Sequence, residues 1–179
     1  MIMEDKLHKY SMNGYNNLVK EFQNESDRSV IIVAVSYLEK YLEYYLKKRL
    51  IDHKLVNSLF EGYAPLNSLS AKIDMAFSVG IISEEIHSEL HRLRKIRNLS
   101  AHEDSKLNFE DAKIKDICNN LISANGIRTS SKKQFKFNDP RSQFLFSVSW
   151  CMIHLETQRE RIDTIPILKL KFEIVDDES

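Results

Sequence analysis

An arginine and a histidine, Arg97 and His102, lie five positions apart in a segment with helical periodicity. These two side-chain types can together cut RNA without a metal. A neutral imidazole, whose unperturbed pKa is about 6.5, can act as a general base. A guanidinium carries a fixed positive charge that stabilises a phosphate as its negative charge grows in the transition state. The pair therefore predicts a ribonuclease site, with His102 as the base and Arg97 as the charge-stabilising group.

Further residues of the same segment could take part. Asn98 could orient the phosphate or cap the end of its own helix, and both interpretations stay open. A basic cluster could bind the RNA backbone, and its members are Arg92, Arg94 and Lys95. The alternative, which we favour, is a solvated helix face that pairs with acidic residues one or two turns upstream. Those residues are Glu84, Glu85 and Glu89.

Arg97-Asn98 followed by Ala101-His102 resembles the signature of the HEPN superfamily, whose ribonuclease members carry Arg, often followed by Asn, and then His. The wider chain resembles the mannitol operon repressor (MltR-like) family in the order and spacing of several stretches. They are Glu25-Ser26-Asp27-Arg28, Leu66 to Ile73, Gly80-Ile81-Ile82, Ile96 to His102 and, more loosely, Pro140-Arg141. The resemblance implies a mainly α, HEPN-like helical bundle.

The HEPN resemblance also implies a dimer. On an undistorted helix, side chains five residues apart point about 140° away from each other, so Arg97 and His102 cannot share a site by helix geometry alone. In HEPN proteins, which this chain resembles, two protomers pair so that both copies of the motif face one another. A second His102 would then protonate the leaving oxygen, and the products would carry 2′,3′-cyclic phosphates. The main hypothesis is thus a homodimeric, metal-independent endoribonuclease of toxin or stress-defence type, acting on RNA.

The MltR-like resemblance equally implies a non-catalytic transcriptional regulator or co-repressor that acts through protein or DNA contacts. The 26 basic and 26 acidic residues cancel, which disfavours general attraction to DNA. No helix-turn-helix with a basic recognition helix is evident, so protein contacts fit this alternative better. A third hypothesis combines the ribonuclease with a protein partner. The resemblance to HEPN toxins implies that this partner would be an antitoxin or a nucleotidyltransferase that silences the ribonuclease.

Apolar spacing and capping residues define the elements that must position these residues. They predict helices over about 26–50, 53–60, 68–77, 83–102, 109–122 and 139–155. Period-two alternation predicts two short strands, at 134–137 and 168–174, which flank the last helix or pair between protomers. We expect a single helical domain over 1–179, with its core in 22–160 and a C-terminal extension over 163–179 that holds a strand and an acidic tail.

The helix that carries the motif has an apolar stripe of Ile86, Leu90 and Leu93, and the next position at that spacing is Arg97. This places Arg97 beside the core, where a lone charge is costly unless it is paired or lines a cleft. A purely structural interpretation pairs Arg97 with a carboxylate of the long helix. The candidates are Asp27, Glu39 and Glu43.

Other chemistry has less support. His87 and His91 lie one helical turn apart, a spacing that suits zinc, but that helix offers no obvious third ligand. We interpret them as two exposed histidines and expect no metal and no cofactor. Cys118 and Cys151 fit buried thiols. The four glycines form no phosphate-binding loop, and no apolar run could cross a bilayer, so a cytoplasmic protein without membrane contact is expected.

Overall fold

The computed structural model describes residues 12–102, 107–125, 127–128 and 134–170. Helices dominate this part of the chain, which confirms the expectation of a mainly α bundle. The helices are α1 (Asn13–Glu21), α2 (Asp27–Arg49), α3 (Leu55–Ser58), α4 (Leu69–Ser78), α5 (Glu84–His102), α6 (Ala112–Cys118) and α7 (Pro140–Thr157). A 3-10 turn follows α6 at Ile122–Asn125. Among the described helices, none combines the length and apolar character needed to cross a membrane.

The long helix α2 is central to the bundle and packs against α4, α5 and α7. Its N-terminus forms as predicted, because the Ser26 hydroxyl accepts a hydrogen bond from the backbone nitrogen of Ser29 (3.2 Å). One face of α2 is removed from water, and its fully buried residues include Val30, Ile31 and Leu42. Burial of that face against three other helices is the main source of its stability.

Helices α4 and α5 lie side by side because a tight turn joins them. Ser68 caps α4 through the backbone nitrogen of Ala71 (3.1 Å). At the other end Gly80 has a φ of 72°, a conformation that glycine adopts without strain, and the backbone nitrogen of Ile81 donates to Ala76 (2.8 Å). The polypeptide therefore reverses within a few residues and packs α5 against α4.

The last described helix, α7, begins as its sequence predicts. Asp139 accepts from the backbone nitrogen of Ser142 (2.7 Å), and Pro140 occupies the first turn. Most of α7 is buried, and it packs against α1, α2 and α5. Its aromatic residue Phe144 lies 5.3 Å from the ring of Phe109, centre to centre, in the shared core.

The strand predictions are only partly correct. Strand β2 (Gln134–Phe135) forms in the expected stretch, but it pairs antiparallel with β1 (Ile127–Arg128). Residues 168–170 form no strand, and 171–179, with the rest of the expected strand and the acidic tail, lie outside the described residues. Leu168 and Leu170 are 91% and 80% exposed, so their alternation reflects no sheet within the described chain.

Candidate functional site

Arg97 lies at the border of the buried face of α5. The predicted stripe of Ile86, Leu90 and Leu93 is buried, but it continues through Ile96, which is fully buried. From Leu93 the buried face therefore continues three residues later, at Ile96, and not four residues later, at Arg97. Arg97 is consequently half-buried.

Helix α5 continues without a break through Asn98 to His102. Asn98 is therefore inside the helix and does not cap it, and its Oδ1 accepts from Nη1 of Arg97 (3.3 Å). Because the helix does not end between them, Arg97 and His102 keep the roughly 140° divergence of residues five apart. The side chain of His102 lies outside the described part of the structure.

The three carboxylates proposed as structural partners of Arg97 face other cations. Asp27 pairs with Arg141, and Lys72 lies 2.9 Å from Glu39 and 3.0 Å from Glu43. That structural interpretation is therefore wrong, since these carboxylates point toward α4 and α7. The positions were compatible with the sequence, but the direction in which each side chain points is set by helix packing.

The basic cluster divides among three surroundings. Arg92 donates to Glu89 (3.2 Å), a carboxylate that is only 1% exposed and also accepts from the backbone nitrogen of Ile122 (3.0 Å). Arg94 donates to Nδ1 of His91 (3.3 Å). Lys95 is exposed. The expected pairing with an upstream acidic residue is thus present at Glu89.

Two stretches that carry the family resemblance meet at one ion pair. Asp27, at the start of α2, accepts from Arg141, at the start of α7, and from the backbone nitrogen of Phe109 (3.0 Å). Arg141 also donates to the carbonyl oxygens of Phe22 (2.7 Å) and Glu25 (3.1 Å). The guanidinium therefore joins the α1–α2 connection to α7, which is a structural role.

A cleft between α2 and the end of α7 was missed in the sequence, although three tyrosines at helical spacing could have indicated it. We call it the tyrosine cleft. It encloses about 630 Å³ and is lined by Lys40, Tyr41, Tyr44, Tyr45, Glu156 and Arg159.

The tyrosine cleft combines a side-chain hydrogen bond with an exposed ring. The Tyr41 hydroxyl donates to Glu156 (2.8 Å), and burial together with this bond raises the pKa of Tyr41 to about 12. Tyr44 is 54% exposed, and its ring meets Tyr45 edge-on at 5.0 Å. The cleft therefore offers neutral aromatic side chains with charged neighbours, a composition typical of protein interfaces.

A second cluster, of which the sequence indicated only the two histidines, joins α4 to α5. Asp74 of α4 places Oδ1 2.9 Å from Nε2 of His87 and 2.9 Å from Nε2 of His91. The two Nε2 atoms are 3.2 Å apart. The side chains of the two histidines are 25% exposed, and they share Asp74 as an acidic partner. The sequence had indicated two exposed side chains. The third group was overlooked because it is on a different helix.

Comparison with known proteins identifies the class of this helical bundle. A family model described as "Mannitol repressor" matches residues 16–168. The chain belongs to the mannitol repressor family, which confirms the MltR-like resemblance drawn from the sequence. A comparison with curated protein sequences finds no match.

A solved structure shares the fold. A chain in the X-ray structure of the MtlR–HPr complex from Escherichia coli is similar, with a TM-score of 0.60 and 18% sequence identity. The match covers 79% of this chain and 98% of that chain. At this identity the similarity shows the common fold alone.

The family match overturns the endoribonuclease hypothesis and favours the regulatory alternative, because the family is named for repression. Neither comparison supports a HEPN ribonuclease or a toxin–antitoxin pair. The roles of Arg97, Asn98 and His102 in catalysis, and of Arg92, Arg94 and Lys95 in RNA binding, belonged to that hypothesis. The hypothesis was wrong because a pair of residue types was given more weight than the wider pattern.

Proposed function

We propose that the chain is a non-catalytic transcriptional regulator of the mannitol repressor type that acts through a protein partner. The family match over residues 16–168 is the observation that carries this proposal. The fold supports it, because it is shared with a chain of the MtlR–HPr complex.

Protein contact is favoured over direct reading of DNA by the distribution of charge. The chain has 26 basic and 26 acidic residues, so its net charge supplies no general attraction to phosphates. In the basic cluster of α5, Arg92 is paired with Glu89 and Arg94 contacts His91. These cations are thus engaged within the protein and are poorly suited to track a DNA backbone.

We propose an HPr-like protein as the partner and the tyrosine cleft as its docking surface. The partner follows from the similar structure, which contains HPr. Tyr and Arg side chains supply much of the binding energy at protein interfaces. A Tyr ring buries a large area at low entropic cost. Tyr44 offers an exposed ring, and the same cleft is lined by charges of both signs, from Lys40, Arg159 and Glu156.

The partner is tested by isothermal titration of the full chain with HPr from the organism that encodes it. We expect saturable binding, weakened at least about tenfold by Tyr44→Ala, since a central interface tyrosine contributes about 2 kcal/mol. Tyr63→Ala is the matched control, because Tyr63 is fully exposed and does not line the cleft. Absence of binding contradicts the partner. Equal affinities for the two variants contradict the docking surface.

The regulatory role is tested in cells by measuring mannitol operon transcripts. Deletion of the gene should raise them, and the wild-type chain supplied in trans should restore repression. Unchanged transcripts after deletion would contradict the proposal. Tyr44→Ala should fail to restore repression, whereas Tyr63→Ala should succeed, if the regulator acts through the tyrosine cleft.

The homodimer, the single domain over 1–179 and the cytoplasmic location stay predictions. Light scattering of the purified chain tests the first, since a dimer doubles the mass of 21.0 kDa. A single cooperative unfolding transition would support the second.

A further inference from the structure

Three potential ligand atoms converge where α4 packs against α5. Oδ1 of Asp74 is 2.9 Å from both Nε2 atoms, and His87 and His91 direct those atoms at each other across 3.2 Å. Histidines at positions i and i+4 present both rings on one helix face, which is the spacing used by helical metal sites. The carboxylate comes from a separate helix, so the three donors surround one point. These residues are the histidine–aspartate cluster.

We propose that the histidine–aspartate cluster binds one divalent transition-metal ion of the zinc type. Zinc binds His nitrogen and carboxylate oxygen at about 2.0–2.2 Å, so neighbouring ligand atoms of a tetrahedral site are about 3.3 Å apart. The three separations here, 2.9, 2.9 and 3.2 Å, require shifts of only a few tenths of an ångström. Imidazole nitrogen with one carboxylate suits zinc and its transition-metal neighbours better than Mg²⁺ or Ca²⁺.

The surroundings keep the donors in place and leave one side open. The Phe77 ring packs against His87 with 4.8 Å between centroids, which restricts the rotation of that imidazole. The side chain of Asp74 is 57% exposed and those of the two histidines are 25% exposed. Three protein ligands with a solvent-facing side leave room for water as a fourth ligand.

An aspartate carboxylate is ionised at neutral pH, so Asp74 presents a negatively charged oxygen to the ion. The thiols of Cys118 and Cys151 do not compete, because both are buried in the folded chain and burial raises the pKa of each.

One neighbouring cation opposes binding. Nε of Arg94 donates to Nδ1 of His91 (3.3 Å), which leaves the ring proton of a neutral His91 on Nε2. Coordination by Nε2 requires that proton to move to solvent, Nδ1 to carry a proton instead, and Arg94 to turn away. The bound ion would also meet the guanidinium charge. Removing this guanidinium should consequently strengthen the site.

The proposal is tested by titrating the tag-free full chain with Zn²⁺ in a calorimeter. We expect one ion per chain, and a loss of affinity of about 100-fold or more in His87→Gln and in His91→Gln, because outer-shell changes alone cost 10–100-fold. Asp74→Asn should weaken binding by at least about tenfold. His53→Gln is the matched control and should bind as wild type does, since His53 is exposed and its Nδ1 accepts from its own loop at Leu55.

Arg94→Gln and Co²⁺ give two independent readouts. Arg94→Gln should bind Zn²⁺ more tightly, whereas the histidine variants should bind it more weakly. Damage to the fold would weaken binding, so it would not produce this result. Co²⁺ bound by two imidazoles and a carboxylate should show stronger visible absorption than aqueous Co²⁺, and His91→Gln should abolish it. Circular dichroism checks the fold of each variant. Zinc uptake that persists in both histidine variants, or visible absorption no stronger than that of aqueous Co²⁺, would overturn the proposal.

Discussion

Helix α4 carries two polar cross-links only two residues apart, and they differ in almost every physical respect. Lys72 is 4% exposed and joins two carboxylates of α2. The Asp74 side chain is 57% exposed and joins two imidazoles of α5. The first cluster is closed to solvent around its cation, whereas the second has an open side.

The difference separates a structural cluster from one that can take a ligand. Burial alone would lower the pKa of Lys72, but hydrogen bonds to Glu39 and Glu43 outweigh it and raise the pKa, so the lysine stays charged. Its charge is thus fully compensated within the protein. In the histidine–aspartate cluster two imidazole nitrogen atoms share one carboxylate oxygen. A single metal ion would bind all three of these atoms at once.

The largest expected effect comes from removing the buried cation. Lys72→Met should lower the free energy of unfolding by about 3 kcal/mol, the low end of the range for breaking a buried pair, because the two carboxylates are partly exposed. Urea denaturation measures the change. Lys40→Met, at an exposed lysine of α2, should cost under about 0.5 kcal/mol. Similar losses in the two variants would show that burial of Lys72 has no special effect.

The next effect should appear at the open cluster, and only with metal. Free Zn²⁺ at a hundredfold excess over Kd should stabilise the chain by about 2.7 kcal/mol, less any binding to unfolded thiols. Thermal denaturation in zinc and in EDTA measures this shift. His91→Gln should show little difference between the two conditions. A shift of the same size in that variant would place the ion elsewhere.

The closed cluster should respond to acid. A hydrogen bond from Lys47 lowers the pKa of Glu43 below 4.5, and Lys72 contributes to the same shift. Partial burial of Glu43 opposes it. A lowered folded pKa contributes stability above the unfolded value, and this contribution is lost as pH falls through the folded pKa. Glu43→Gln should therefore cost about 1 kcal/mol at pH 7, and the cost should decline progressively below pH 4.5. Urea denaturation across pH tests this, and a constant cost would contradict it.

The smallest effect should come from the open cluster without metal. Asp74→Asn in EDTA should change the free energy of unfolding by less than about 1 kcal/mol, because partly exposed ion pairs contribute little. Urea denaturation in EDTA makes the comparison. A loss as large as that of Lys72→Met would mean that both clusters are structural, which would remove the contrast between them.

Features that depend on nearby residues could be predicted from the sequence. Three predicted helices begin with Ser26, Ser68 and Asp139, and each of these residues caps its helix, because capping involves residues only two or three positions away. The buried stripe of α5 from Ile86 to Leu93 also follows from apolar spacing. The family followed from the order of several stretches together.

The partners of charged residues could not be predicted, because they depend on how helices pack. Asp27 was one of three candidate partners of Arg97 in the structural interpretation, and it pairs instead with Arg141, 114 positions away. The spacing of residues within α5 could not indicate Asp74 as a third ligand, because Asp74 belongs to α4. Spacing within one helix defines a face, whereas only tertiary packing defines what that face meets.

The end of α2 has a consequence for the order in which the chain is completed. The last carbonyl oxygens of a helix have no partner within it, and those of Lys48 and Arg49 accept from Thr164 (3.0 Å) and Ile165 (2.8 Å). The first of these partners is 116 positions later. At synthesis rates of roughly 5–20 residues per second, the ribosome needs on the order of ten seconds to deliver it. During that interval the basic last turn of α2 lacks these partners, and a nascent chain is open to trypsin-like cleavage there.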